Sequence, residues 1–268
     1  MQDFDPSAVA EIRAKLDAAR ASGVRIVFAI ESGSRAWGFP SPDSDYDCRF
    51  VYVRPRSDYL GLFPPRDVIE FPIVGEIDVG GWDLRKALLL ALKGNAVLVE
   101  WVTSPIVYEE EPGFRSRLGA LLDEIMVPRK VALHYVGLMK QHYPADGEAP
   151  VKLKKLLYAI RPAISLKWME ERDFALLAPM NMLECLEGCR LPAEQRESIH
   201  ELIEVKRVTR EMGAGPMPAD IHTLLVEAQL RYQGLAKSFE RDEAADARAQ
   251  QRADAFFLAE IDRPNNSI

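Results

Sequence analysis

The chain has 268 residues, 48% of them hydrophobic, and a formal net charge of −7 at pH 7. That length suits one large domain or two modest ones. The acidic balance excludes a protein that coats nucleic acid nonspecifically, so any nucleic-acid contact must be a local patch. Cys48, Cys185 and Cys189 make no disulfide framework and no CxxC pair, which fits a reducing cytoplasm. The N-terminal stretch lacks the apolar core of a signal peptide, and the longest purely apolar run, 87–92, is too short to cross a bilayer. The expectation is a soluble, cytoplasmic globular protein with no membrane partner.

Val9, Ile12 and Leu16 recur at helical spacing behind Ser7, a suitable N-cap, so 6–21 is expected as a helix ended by Ser22-Gly23. A strand over 24–30 leads into the Gly33-Ser34 turn, and 35–37 forms a short helical turn closed by Gly38. Period-two alternation makes 45–53 a strand, with Asp45, Asp47, Arg49, Val51 and Val53 on one face and Tyr46, Cys48, Phe50 and Tyr52 on the other. After a loop punctuated by Pro55, Gly61, Pro64 and Pro65, a strand over 68–74 carries Pro72, which suits a sheet edge. The next strand covers 76–79 and is expected to stop at Gly80-Gly81.

Asp83 is a good N-cap for a helix over 84–93 with Gly94 as its stop, and Asn95 can cap a further short helix through Trp101. A strand returns at 106–108, and the run 109–113 (EEEPG) reads as a domain boundary. Beyond it the pattern is helical over 114–124, 128–143, 150–172, 176–187, 193–212 and 218–260, with a loop at 213–218 and a frayed tail at 263–268. The expected architecture is therefore an α/β (α+β) domain with a small mixed sheet over 1–112, followed by an all-helical domain over 113–268 that closes the active-site cleft.

The chemistry is concentrated between 26 and 53. Small residues at a strand end, Gly33 and Ser34, let backbone amides approach a phosphate. Asp45 and Asp47, spaced i, i+2 on a strand, project from one face and can share a hard cation. A calcium loop fails, because Cys48 stands at position 6 and Arg54 at position 12 of an EF-hand register beginning at Asp43. Arg35 follows the turn, where it either reaches a phosphate or forms a surface salt bridge. Lys86 lies in the first turn of a helix, where a cation is electrostatically misplaced, so it contacts phosphate or is simply solvated. Lys154, Tyr158 and Arg161 fall at i, i+4, i+7 with Lys155 beside them, a basic stripe with one aromatic or an ordinary solvated face.

The ordered combination of a strand, Gly33-Ser34, ten intervening residues, Asp45-x-Asp47 on a strand and a later strand with a carboxylate resembles the nucleotidyltransferase signature of the DNA polymerase β superfamily. The segment Asp78-Val79-Gly80-Gly81-Trp82-Asp83-Leu84-Arg85-Lys86-Ala87-Leu88, with Asn95, Glu100-Trp101 and 104–108 (SPIVY), resembles the RlaP-type group of nucleotidyltransferases associated with RNA repair, as does 154–162 (KKLLYAIRP). The resemblance implies that Gly33 and Ser34 contact a nucleoside triphosphate, and that Asp45, Asp47 and a third acid are the catalytic ligands of two Mg²⁺ (or Mn²⁺) ions. The resemblance favours Asp78 as the third acid, because the family places a single acid between apolar residues, here Ile77 and Val79, with Glu76 as its rival.

On this reading the protein moves a nucleoside monophosphate from an NTP to an acceptor hydroxyl, an RNA 3′ end, a protein or a small molecule, and releases pyrophosphate. Arg35, Lys86, Lys154, Lys155, Tyr158 and Arg161 join Gly33 and Ser34 as nucleotide contacts. Two competitors remain: a catalytically silent nucleotide- or RNA-binding module of the same fold, and a DxD sugar-nucleotide transferase.

Overall fold

The computed structural model describes residues 4–142, 150–209, 213–238 and 242–263. In chain order the elements are α1 (Pro6–Ala21), β1 (Arg25–Glu31), α2 (Gly33–Ala36), β2 (Tyr46–Val53), α3 (Arg56–Leu60), β3 (Val68–Glu70), β4 (Ile77–Asp83), α4 (Leu84–Leu92), α5 (Ala96–Thr103), β5 (Val107–Glu110) and α6 (Phe114–Ile125). They are followed by α7 (Pro128–His142), β6 (Val151–Lys152), α8 (Leu153–Glu170), α9 (Met182–Glu187), α10 (Ala193–Val208), β7 (Ala214–Gly215), α11 (Ala219–Tyr232) and α12 (Glu243–Ile261). None of the described helices is long and apolar enough to cross a membrane.

The chain divides into two compact units, one of Met1–Ala36, Asp45–Met126 and Asp242–Ile268, the other of Trp37–Ser44 and Val127–Arg241. This differs from the division expected at Pro112. The acidic run does not separate domains, because Glu109 and Glu110 end β5, which pairs with β1. The next helix, α6, stays with the sheet: the Phe114 ring lies 6.0 Å from that of Phe28 on β1. The last helix returns to the same unit, packing α12 on α4 and α6, with Phe256 6.0 Å from Phe114.

In the first unit a five-stranded sheet has the order β3-β4-β2-β1-β5. The β2–β4 pair is parallel and the other pairs are antiparallel. The alternation along β2 has the expected result: Tyr46, Cys48, Phe50 and Tyr52 join the core with Ala8, Ile12, Leu16 and Ala19 of α1. Burying one strand face against one helix stripe is what fixes the register of the pair. Asp5, rather than Ser7, caps α1, its Oδ1 accepting from the Ser7 amide at 2.8 Å, and Pro6 opens the helix. Strand β3 ends at Glu70, before Pro72. Strand β4 does not stop at Gly80-Gly81 but runs on to Asp83. Gly81 lies under the Phe50 ring, where a Cβ would come within 2.5 Å of Cζ. The glycine there makes room for an aromatic ring and does not end a strand.

In the second unit, helices α7 to α11 pack around apolar residues of α8 such as Leu156, Leu157, Ile160 and Ile164. One two-stranded pair, β6 with β7, interrupts the otherwise helical reading. Cys185 and Cys189 are buried thiols, pushed up by burial to about 12 and about 11, as core cysteines should be. The long helix expected over 218–260 is two helices: Tyr232 ends α11, and Asp242 starts α12 by accepting from the Ala245 amide at 2.9 Å. The expected frayed tail from 264 onward, and 210–212 of the expected helix 193–212, lie outside the described residues.

Candidate active site

Strand β1 is apolar and buried from Val27 to Ile30 and ends on a carboxylate, Glu31, which is also fully buried. The chain then turns through Ser32 into the single-turn helix α2. Gly33 is left-handed there, with φ +62, a conformation open to glycine and costly to other residues. It is also close-packed: a Cβ on Gly33 would run into Oδ2 of Asp47 and lie 2.9 Å from its Cγ. The turn and β2 are joined by the Ser32 amide, which donates to the Asp47 carbonyl at 2.8 Å, and by the Asp47 amide, which donates to Glu31 Oε1 at 3.1 Å. The expected phosphate-approaching turn and the Asp-x-Asp strand are thus in direct contact.

Asp78 is brought in by the parallel pairing of β2 and β4, in which Asp47 stands opposite Asp78. Both carboxylates reach one cationic atom: Arg49 Nη2 donates to Asp47 Oδ1 at 3.1 Å and to Asp78 Oδ2 at 2.6 Å. Glu76 precedes β4 with an exposed side chain, and its carbonyl accepts from the Tyr46 amide at 2.6 Å. Asp45 lies just before β2 with an exposed side chain, and its carbonyl accepts from Arg35 Nε at 3.2 Å.

The electrostatics follow from this crowding. Burial, reinforced by the charges of Asp78 and Asp45, raises the Asp47 carboxyl, while Arg49 and Arg35 oppose the rise. Burial works to lower the Arg49 guanidinium, but its hydrogen bond to Asp78 and the charges of Asp47 and Asp78 outweigh that and raise it. Glu31 is pushed up to about 7 by burial, against the lowering effect of its bonds from the Tyr108 hydroxyl and the Asp47 amide. Tyr108 Oη donates to Glu31 Oε2 at 2.6 Å. Neither Glu31 nor Arg49 was picked out by sequence as part of the site. Both left a trace there, a charge closing an apolar run and a cation on the aspartate face of β2.

The remaining candidates are placed as follows. Ser34 is buried in α2. Arg35 stacks on Tyr46, its guanidinium carbon 4.0 Å from the ring centroid, and lies 5.3 Å from that of Phe4. Lys86 pairs with Asp67 at 3.2 Å. In the second unit, Lys154 and Lys155 are exposed on the first turn of α8, and Tyr158 is half-buried with its ring edge on Trp37 at 5.6 Å. Arg161 is buried, with its guanidinium 4.3 Å from the Trp37 ring centroid. The expected basic stripe is therefore graded from exposed to buried along the helix.

Among the described residues no group of three His, Cys, Asp or Glu side chains is gathered that could hold a metal ion. The donors nevertheless suit a hard divalent cation, which takes carboxylate oxygens together with water and phosphate oxygens. Asp47 and Asp78 already converge on a single positive atom, the Arg49 nitrogen.

A family model, RlaP: RNA repair pathway DNA polymerase beta family, matches residues 9–259. The chain belongs to the RlaP family. It is accordingly a polymerase-β-like nucleotidyltransferase in class, and its mixed α/β architecture agrees with the one expected from sequence. The RlaP chain is 39% identical over 192 residues to an uncharacterized protein, YcgL, of Bacillus subtilis strain 168, covering 71% of this chain and 73% of that one. A solved nucleotidyltransferase-like protein from Exiguobacterium sibiricum 255-15 aligns over 95% of this chain and 91% of its own at 12% identity, with a TM-score of 0.32, too low to establish a shared fold.

Proposed function

We propose that this RlaP protein is a metal-dependent nucleotidyltransferase that moves a nucleoside monophosphate from an NTP to an acceptor hydroxyl and releases pyrophosphate. The observation that carries the proposal is the Asp47–Asp78 pair, opposite each other on adjacent parallel strands with Gly33 packed against Asp47. Asp47 and Asp78 would hold Mg²⁺ or Mn²⁺, with Asp45 as the third ligand. When bound, such a cation lowers the pKa of an attacking hydroxyl and neutralises charge on the α-phosphate.

The chain's own residues do the positioning. Gly33, lacking a side chain, lets the Asp47 carboxylate lie directly against the turn, and Ser34 follows it there. Glu31 fixes β2 by accepting the Asp47 amide while Tyr108 holds its other oxygen. Arg35, stacked on Tyr46, contributes positive charge near the turn. Lys86 would have to leave Asp67 to take part. In the second unit, Lys154, Lys155 and Arg161 are the candidates for phosphate contact and Tyr158 for a nucleobase. Fixed donors and charges of this kind supply most of the catalysis in phosphoryl-type transfer.

The acceptor we favour is an RNA 3′ hydroxyl, in keeping with the RNA-repair description of the family. The test is to incubate the protein and Mg²⁺ with each α-labelled NTP and RNA, protein or small-molecule acceptors. Label on RNA supports the reading, and label only on a protein or metabolite redirects the acceptor. Absence of transfer together with absence of NTP binding overturns it.

A further inference from the structure

Arg49 has no place in the nucleotidyl-transfer reading, yet it makes the most direct contacts with that site's carboxylates. It lies two residues after Asp47 on the same face of β2, and opposite it on β4 stands Gly80, which has no side chain to compete for that face. Nη2 spans the two strands, 3.1 Å from Asp47 Oδ1 and 2.6 Å from Asp78 Oδ2. Nη1 donates to the carbonyls of Cys48 at 3.2 Å and Asp78 at 3.3 Å. A planar guanidinium held at both ends is pre-organised and cannot lose its proton at any physiological pH.

Two half-buried carboxylates that face each other repel, and something positive must offset that repulsion in the folded protein. Here the chain supplies it. The Asp47 oxygen and the Asp78 oxygen that Arg49 engages are donor atoms a divalent cation would use. A guanidinium and a divalent cation cannot both take the same lone pairs without crowding two positive centres into one site.

We propose that Arg49 is the built-in counter-ion of the Asp47–Asp78 pair and the group that metal must displace, so that site occupancy is set by exchange between guanidinium and cation. This inference rests on the metal-dependent reading above. It predicts a site that stays folded without metal, with half of the pair's negative charge offset, and a metal affinity held down by an internal competitor. Metal would then be retained only when a further ligand, such as the phosphates of an NTP, adds its own oxygens.

The test is direct Mn²⁺ binding, followed by electron paramagnetic resonance, for the full-length wild type, Arg49→Met, Arg49→Lys and Asp47→Asn, with folding checked by circular dichroism. Arg49→Met should bind Mn²⁺ roughly ten- to hundredfold more tightly than wild type, the equivalent of the charge-assisted bonds it deletes. Arg49→Lys, a point charge that cannot span both strands as the fork does, should fall between them. Should Arg49→Met not fold, the side-chain ¹⁵N signal of Arg49 in the wild type should shift and lose its hydrogen-bonded character as Mg²⁺ is added. Unchanged or weaker Mn²⁺ binding in both Arg49 variants, or an Arg49 signal that does not respond to saturating Mg²⁺, overturns the proposal and makes Arg49 a structural clamp. If, with a nonhydrolysable NTP present, the wild type binds Mn²⁺ no better than Asp47→Asn, the metal-site reading itself fails, an outcome distinct from the other two.

Discussion

Gly33 and Asp47 are packed so closely that no side chain fits between them: a Cβ on Gly33 would collide with the Asp47 carboxylate. With φ +62 at Gly33, the position excludes other residues on both backbone and steric grounds. Gly33→Ala is therefore expected to lose about 1–2 kcal/mol of stability from the left-handed backbone alone. It should also push Asp47 out of line, weakening Mn²⁺ affinity beyond what the stability loss explains. Chemical denaturation and metal titration of the same variant separate the two effects.

Glu31 gives the folded protein a pH signature. Its carboxyl titrates at about 7 when folded, against 4.5 for the ordinary group. Between those values the folded state binds a proton that the unfolded chain has released, so stability is full below pH 4.5 and falls as pH rises to 7. The expected loss is about 3 kcal/mol across that window. Glu31→Gln cannot ionise, so its stability should vary less between pH 4.5 and 7 than that of the wild type, as denaturant unfolding at a series of pH values would show. Equal slopes in the two proteins would mean that Glu31 stays ionised in its pocket.

Lys206 works in the opposite sense in the second unit. It is buried on α10, its Nζ lies 4.7 Å from the Phe39 ring centroid, and it has no hydrogen-bond partner among the described residues. Burial, together with the like charge of Lys154, lowers it to about 8 from 10.5, and Asp43 offsets part of the fall. Between pH 8 and 10.5 the unfolded chain holds a proton that the folded one lacks, so stability rises with pH there, and the full cost is present below pH 8. Lys206→Met keeps the apolar stem and removes the charge. It should stabilise the protein at pH 7 by about 2–3 kcal/mol, a gain that shrinks toward pH 10.5 in thermal or denaturant unfolding.

Much of the local structure around the candidate site was readable because it depends on local patterns. The two faces of β2 follow from alternation alone, and Asp83 and Asn95 cap their helices as their side-chain chemistry suggests, accepting from the Arg85 and Val97 amides at 2.8 Å each. Asp78 is different. Locally only its apolar neighbours Ile77 and Val79 distinguish it from Glu76, and the resemblance to a family gave that difference its meaning. What sets it apart physically is the parallel register that places it opposite Asp47. Arg49 and Glu31 were missed for the same reason, since their roles lie in contacts across strands.

The other misreadings also come from distance. Gly80-Gly81 looks like a stop until Phe50, thirty-one residues before Gly81 in sequence, is seen to need the space above it. The acidic run at 109–113 looks like a linker because its pairing partner, β1, lies far upstream. That α12 belongs to the unit containing the sheet is a matter of packing on α4 and α6 that its weakly amphipathic sequence does not announce.

We propose that Asp47 and Asp78 together support nucleotidyl transfer. The most direct measurement compares the rate of label transfer from an α-labelled NTP, with Mg²⁺ present, in the wild type, Asp47→Asn and Asp78→Asn, each confirmed as folded. Mg²⁺-dependent transfer is expected from the wild type, with a loss of at least roughly 10²-fold in either variant, the scale seen when an electrostatic group acting on the transition state is removed. Transfer at the wild-type rate in Asp47→Asn or Asp78→Asn would contradict it.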